Sequence, residues 1–215
     1  MSVKVFLADD HRIFRQGLRG LLAEESDITI VGEADDGRDA IAKISKSRPD
    51  VVLMDVGMPG LNGIEATRQL KKVSPRVKVV GLSMHVDERF VGEMLRAGAI
   101  GYLCKKCDIR EVLTAIRSAA VGQTYLSPMI SGSIVEGYVL NACPESSSAF
   151  SQLTNREREV LQLLVEEMTI KEIAFDLGLS AKTVHAHREH LMQKLDVHTI
   201  AGLTKYAVRQ GLTEL

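Results

Sequence analysis

The sequence predicts an α/β chain in two parts: a five-stranded, parallel, doubly wound (βα)5 domain over residues 1–121 and a second, all-α domain of four helices over residues 151–215. Three observations carry that reading. Short runs rich in Val, Ile and Leu alternate with amphipathic stretches through the first part, and parallel strands need such helical crossovers. Turn-forming residues then crowd residues 122–150. Beyond Leu153 the apolar spacing is helical throughout.

The strands predicted are Val3 to Ala8, Ile28 to Ala34, Val51 to Met54, Lys78 to Leu82 and Gly101 to Leu103, each too short for a full helix. Ile13, Phe14, Gly17, Leu18, Leu21 and Leu22 recur with helical spacing after the first. Ala40, Ile41 and Ile44 do so before the third, and Ile109, Val112, Leu113 and Ile116 after the fifth. Gly122, Pro128, Ser131, Gly132, Ser133, Pro144 and Ser146 to Ser148 give residues 122–150 the composition of a linker. One short helix is expected there, around Ile130 to Leu140, and the loosest part is Asn141 to Ala149.

Thr154 and Glu157 have capping-box spacing and open a helix with Val160, Leu161, Leu164 and Val165 on its apolar face. A helix over Ile170 to Leu177, a turn at Gly178 to Ser180 and a helix from Ala181 to about Leu195 follow. Ala174, Leu177, Leu179, Val184 and Leu191 lock the last two across the turn as a helix-turn-helix. Thr199 to Gln210, with Ile200, Leu203, Ala207 and Val208 at helical spacing, make the fourth helix.

Composition narrows the function. The 215 residues suffice for two small domains with real cores. Lys and Arg total 27 against 28 Asp and Glu, which excludes a globally basic nucleic-acid binder but not a local basic face. Hydrophobic content of 45% with 26% charged residues is that of a folded chain. No apolar run approaches the roughly 18 residues of a membrane span. Val3 to Ala8 lead straight into Asp9 and Asp10 with no export leader, so a cytoplasmic protein without a membrane partner is expected. Three cysteines make no disulfide framework. Cys104 and Cys107 form a C-x-x-C, but no second ligand pair completes a zinc site. They are read as two unrelated cysteines beside Lys105, with a redox role as the alternative.

In an open parallel sheet, residues at the carboxyl ends of strands converge. Asp9 and Asp10 end the first strand, Asp55 the third, Ser83 follows the fourth and Lys105 the fifth. Each alone has an ordinary explanation: Asp9 or Asp10 as a helix cap, Ser83 as a turn residue, Lys105 as a solvated charge. The joint occurrence points to chemistry. Three neighbouring carboxylates must share a proton or a cation, and oxygen donors suit Mg²⁺ better than zinc. Gly57, Gly60 and Gly63 are spaced three apart after the third strand, so they mark a turn and not a dinucleotide loop.

These residues resemble the receiver domain of bacterial two-component response regulators, through the acidic pair, "LMDVGMPGLNG" around Asp55, "GLSMH" at Ser83 and "GAIGYLCK" ending at Lys105. The resemblance implies that Asp55 accepts a phosphoryl group from a phosphohistidine on a sensor histidine kinase. It implies Mg²⁺ on Asp10, Asp55 and the Gly57 carbonyl, with Asp9 acting through water. Ser83 and Lys105 contact the phosphoryl oxygens, and Tyr102 changes position on activation. Lys106 stands where many receivers carry proline, and a cis bond there is not expected.

On the third helix of the second half, Val184, His187, Leu191 and Leu195 share one face, while Lys182, His185, Ala186, Glu189 and Gln193 share the opposite one. Lys182, Arg188 and Lys194 face one acid, Glu189, within residues 182–194. "LTNREREVLQLL", "KEIAFDLGLSAKTVHAHREHLMQKLDV" and "YAVRQGL" resemble the LuxR-type helix-turn-helix, which with the receiver gives the architecture of the NarL/FixJ class. By that similarity Lys182, Thr183 and Arg188 hold DNA phosphates, and His185, Ala186 and Glu189 read bases. Ile200, Leu203 and Ala207 form the contact of a homodimer on roughly palindromic promoter DNA. Glu167 replaces a residue that is often glycine in the family, so the end of the first helix is expected to differ. His185, His187 and His190 lack the partners of a metal site; a mild pH dependence of DNA affinity is expected instead. Two other classes remain open at this point: a phosphorylatable scaffold whose helical tail docks a protein, and a phosphatase. The second lacks another acid or base beside Asp55, so the chain is not expected to be a turnover enzyme.

Overall fold

The computed structural model describes residues 2–84, 88–130 and 153–209. The chain divides into two compact units, Met1–Ala142 and Cys143–Leu215. In the first, strands β1 (Val3–Ala8), β2 (Ile28–Ala34), β3 (Val51–Asp55), β4 (Lys78–Ser83), β5 (Gly101–Cys104) and β6 (Tyr125–Leu126) pair in the order β2-β1-β3-β4-β5-β6, all parallel. Helices α1 (Arg12–Ala23), α2 (Gly37–Ser47), α3 (Gly63–Val73), α4 (Glu88–Arg96) and α5 (Ile109–Ala120) are the crossovers. The order reverses once, between β1 and β3, which places a ligand crevice at their carboxyl ends.

Both faces of the sheet are covered. Phe6, Val52, Met54, Val79 and Tyr102 pack with Ile44, Leu70 and Met94 on one side. Leu7, Leu53, Val80 and Leu103 pack with Leu18, Leu22, Val112 and Ile116 on the other. β3 is buried at all five positions, as a central parallel strand requires. Asp36, Asn62 and Asp108 cap α2, α3 and α5 through their side-chain oxygens.

The sheet has one strand more than expected. β6 is only two residues long and lies in the stretch read as the start of a linker, where Gly122 and Pro128 mask its pattern. Ser127 donates its N–H to the Tyr102 carbonyl (3.0 Å) and its hydroxyl to Glu111 (2.8 Å), and Ile130 is buried in the first core. Apart from Ile130 itself, the helix expected around Ile130 to Leu140 and the loose stretch Asn141 to Ala149 lie outside the described residues. Ile13, one of the helically spaced apolar residues of α1, is 88% exposed, and Leu21 is exposed too. Phe14, Leu18 and Leu22, four residues apart, carry that helix's buried stripe instead. No peptide bond is cis among the described residues, Lys105–Lys106 included.

The second unit contains α6 (Asn155–Val165), α7 (Ile170–Asp176), α8 (Ala181–Leu195) and α9 (Ile200–Arg209). Capping boxes at Thr154/Glu157 and Thr169/Glu172 start α6 and α7, and Ser180 caps α8. Val160, Leu161, Leu164, Ile173, Val184, Leu191, Leu195, Leu203 and Ala207 fill one core. No helix among the described residues is long and apolar enough to cross a membrane.

The end of α6 explains the departure at Glu167. The N–H of Met168 reaches back to the Leu163 carbonyl (3.1 Å), a Schellman closure whose pivot, Glu167, takes φ +63°. The turn that glycine makes without strain is therefore kept, with a side chain in the left-handed region. Glu167→Gly is expected to stabilise the helical unit by about 1 kcal/mol, read from its urea transition by circular dichroism. A neutral or destabilising result contradicts the strained pivot.

Candidate functional site

Three strand ends are laced together by the backbone. Val56 donates its N–H to the Leu82 carbonyl (2.9 Å), Lys105 to the Ser83 carbonyl (2.7 Å) and Gly63 to the Val56 carbonyl (3.1 Å). Gly63 lets α3 close on this point: a Cβ there would lie 1.9 Å from the Asp55 carbonyl oxygen. Asp55 and Ser83 are thus held, both buried, next to the turn that carries Lys105.

The Lys105 side chain is 4% exposed and runs inward. Its Nζ lies 2.8 Å from Asp55 Oδ2 and 2.9 Å from Asp9 Oδ2, and 5.1 Å from the centre of the Phe14 ring, close enough for a cation–π contact. Asp9 Oδ1 accepts the His11 N–H (2.8 Å), and Asp55 Oδ1 accepts the Gly57 N–H (3.3 Å). Asp10 is half-buried, and its Oδ1 lies 2.9 Å from His11 Nδ1. The residue at the N-cap position of α1 is His11, and its side chain caps nothing. Asp9 and Asp10 are therefore not the caps of that helix; they face the cleft.

Burial, followed by the charge of Asp9, pushes the Asp55 carboxyl up to about 6, against the opposing pull of Lys105. Burial opposes the charge on Lys105, but Asp55 and Asp9 outweigh it and hold the ammonium above its ordinary range. Asp9 Oδ2, Asp10 Oδ1 and Asp55 Oδ2 are buried and take no well-aligned hydrogen bond. Spare oxygen lone pairs on three acids are what a hard divalent cation fills. One ligand atom from each of Asp9, Asp10, His11 and Asp55 lies within 4.8 Å of the others.

The structure therefore brings Asp9, Asp10, Asp55 and Lys105 into one pocket, with Ser83 at its wall and the backbone of Gly57 at its edge. Tyr102 lies next to Lys105's strand end and is 0% exposed, its ring against Gly81. Two members were missed from sequence, His11 and Phe14. A histidine directly after an acidic pair was the available signal for the first; nothing in spacing marks the second. Cys104 and Cys107 are both free thiols. Burial and the charge of Glu111 push Cys107 up to about 11, so its reactive thiolate is scarce at neutral pH.

On α8, Lys182, His185, Ala186 and Glu189 are exposed, and Thr183 and Arg188 are half-buried. Thr183 is tied to Ser180 through its hydroxyl (2.7 Å), while Arg188 Nε is buried without a hydrogen bond. Lys194, counted from sequence with the basic stripe, is instead paired with both oxygens of Glu157 (2.9 and 2.8 Å). Burial works against the charge on Glu157, but Lys194 and Thr154 hold its carboxyl below the usual range. Leu203 and Ala207 are 0% exposed within their own unit's core, where α9 packs on α6. Of the three residues expected at a dimer contact, Ile200 is the exposed one. The helical spacing of Ile200, Leu203 and Ala207 does not show how much of that face the neighbouring helix covers.

The raised Asp55 carboxyl has a stability consequence with a definite sign. A carboxyl whose folded value lies above its unfolded one favours the fold when protonated; that contribution is lost as pH rises from about 4 through about 6. In metal-free buffer Asp55→Asn should therefore be more stable than wild type at pH 7.5, by on the order of 1–3 kcal/mol. The difference should shrink toward zero at pH 4. Urea unfolding at the two pH values measures it, and a difference independent of pH contradicts it.

Comparison with known proteins agrees with this geometry. Residues 5–117 match the response regulator receiver domain, and residues 151–207 match the bacterial regulatory proteins of the luxR family. The response regulator GacA of Pseudomonas protegens is 36% identical over 99% of this chain and 98% of its own length. The response regulator UvrY of Escherichia coli is 36% identical over 98% of this chain and 95% of its own. The structure of RcsB from Salmonella enterica, bound to the promoter P1flhDC in the presence of phosphomimetic BeF3⁻, superposes with a TM-score of 0.62 at 25% identity, covering 99% of this chain and 100% of that one. With a receiver unit carrying the acidic pocket and a luxR-type helical unit following it in the sequence, the chain belongs to the bacterial response regulators that regulate transcription.

Proposed function

We propose that the chain is switched by transfer of a phosphoryl group from a phosphohistidine of a sensor histidine kinase to Asp55, and that its helical unit binds promoter DNA as a homodimer. One observation carries the reading: Asp55 is buried at a strand end beside Asp9, and both share the Lys105 ammonium.

Phosphoryl transfer needs an in-line nucleophile and countercharge for the equatorial oxygens. Asp55 supplies the nucleophile. A carboxyl near pH 6 is still largely ionised at neutral pH, and its oxygens are more basic than those of an ordinary carboxylate. As the new O–P bond forms, the bond to the kinase imidazole breaks, and the electron pair leaves with that nitrogen. Lys105, already against Asp55, turns its ammonium to the arriving oxygens, with Phe14 holding its far side. The Ser83 hydroxyl donates to a second oxygen, and because the Ser83 carbonyl is bonded to the Lys105 N–H, the two move together. Tyr102, on the same strand, follows that movement.

The donor set fits Mg²⁺: buried carboxylate oxygens of Asp9, Asp10 and Asp55 lack aligned partners, and Gly57 lies at the rim. When bound, the ion supplies further positive charge to the phosphoryl oxygens. The product loses its phosphoryl group slowly to water, with no turnover of other phosphoesters. The acyl phosphate, at about −1.5 to −2 in place of a carboxylate at −1, makes this pocket about one half to one charge more negative.

In the helical unit, the exposed faces of Lys182, His185, Ala186 and Glu189 are offered to a major groove, with Thr183 and Arg188 toward the phosphates. The likeness to promoter-bound RcsB supports this. Pairing of two units uses the outer face of α9 around Ile200. A soluble, DNA-acting regulator of this kind works in the cytoplasm.

Two measurements test the reading. Acetyl phosphate should add one phosphoryl group to wild type by mass spectrometry and none to Asp55→Asn; undiminished labelling of the variant refutes the phosphoacceptor. In a salt series on bound promoter fragments, Lys182→Ala should weaken binding and reduce the slope of log affinity against log salt by about one. A slope unchanged by the substitution removes the phosphate contact.

A further inference from the structure

The metal set proposed above uses oxygen donors and leaves His11 without a role. His11 nonetheless stands where a ligand would. It occupies the N-cap position of α1 in an extended backbone conformation (φ −76°, ψ 90°), and its side chain makes no capping hydrogen bond to the helix. The side chain is 65% exposed, yet its Nδ1 is the atom that faces the acids. It lies 2.9 Å from Asp10 Oδ1, 3.5 Å from Asp9 Oδ1 and 3.9 Å from Asp55 Oδ2. Two ligands opposite each other on a divalent ion with bonds of about 2.2 Å are about 4.4 Å apart, so atoms mutually within 4.8 Å span one coordination sphere. Of these oxygens, Asp10 Oδ1 and Asp55 Oδ2 are buried and take no well-aligned hydrogen bond.

A nitrogen donor changes what the site prefers. Carboxylate and carbonyl oxygens suit Mg²⁺, whereas imidazole raises affinity for first-row transition ions. We propose that His11 Nδ1 is a direct metal ligand that turns this carboxylate site toward Mn²⁺-type divalent cations over Mg²⁺. The ring proton then sits on Nε2, facing solvent. The inference rests on the reading that Asp9, Asp10 and Asp55 hold a divalent cation, and it adds a specificity-determining residue to that site.

The test uses the full chain, freed of metal with chelator, with Mn²⁺ as the probe. Free Mn²⁺ is followed by electron paramagnetic resonance during titration, Mg²⁺ affinity is measured by competition, and pulsed spectra of the bound ion report ¹⁴N coupling. Wild type should show directly bound imidazole nitrogen. His11→Ala and His11→Asn should lose that signal and bind Mn²⁺ roughly 10–100-fold more weakly, with Mg²⁺ affinity unmoved. Wild type that binds both ions without ¹⁴N coupling, or variants that lose both ions equally, overturns the assignment and leaves His11 as a positioning residue for Asp10. Wild type that binds neither ion, like Asp10→Asn, overturns the underlying metal reading as well.

Discussion

Two carboxylates buried against one ammonium set the character of the first unit. In an apolar strand end neither Asp9 nor Asp55 is tolerable without a countercharge, and Lys105 supplies it at hydrogen-bond distance from both. The compensation is incomplete: among the described residues, the side chains of Asp9, Asp10 and Asp55 meet one ammonium, that of Lys105. Burial, and after it the charge of Asp9, outweigh the pull of the ammonium, which is why Asp55 is raised rather than lowered beside a lysine. The proposed cation and the proposed phosphoryl group would each act on that excess of carboxylate.

The rest of the receiver unit keeps this arrangement in place. Central strands buried on both faces fix where their ends fall, and the hydrogen bonds from Val56 to Leu82, Lys105 to Ser83 and Gly63 to Val56 join those ends into one edge. β6 extends the same lacing outward: Ser127 is bonded to the carbonyl of Tyr102, so the segment leaving the unit is attached to the strand that ends at Lys105.

Much of this was legible in the sequence, because its signals are periodic or punctual. The strand runs placed Asp9, Asp10, Asp55, Ser83 and Lys105 at strand ends, and the topology of parallel sheets then requires them to converge. The capping box at Thr154 and the turn at Gly178 likewise fixed the helical starts. What was not legible depends on packing between elements. β6 has two residues and no period. Ile13 and Leu18 look alike on a helical pattern, and only the position of the sheet makes one exposed and the other buried. Leu203 and Ala207 fill their own core for the same reason, and Lys194 is drawn to Glu157 by a partner 37 residues away. His11 joins the site through the direction of one side chain at a helix start, which no spacing rule expresses.

The central claim is that Asp55 is a raised carboxyl partly compensated by Lys105. Its most direct test is the titration of Asp55 followed by carboxyl ¹³C magnetic resonance in metal-free protein. The account predicts a midpoint near 6 in wild type and a higher one in Lys105→Met, where the compensating ammonium is gone. An ordinary carboxylate midpoint in wild type, unmoved by the substitution, would contradict it.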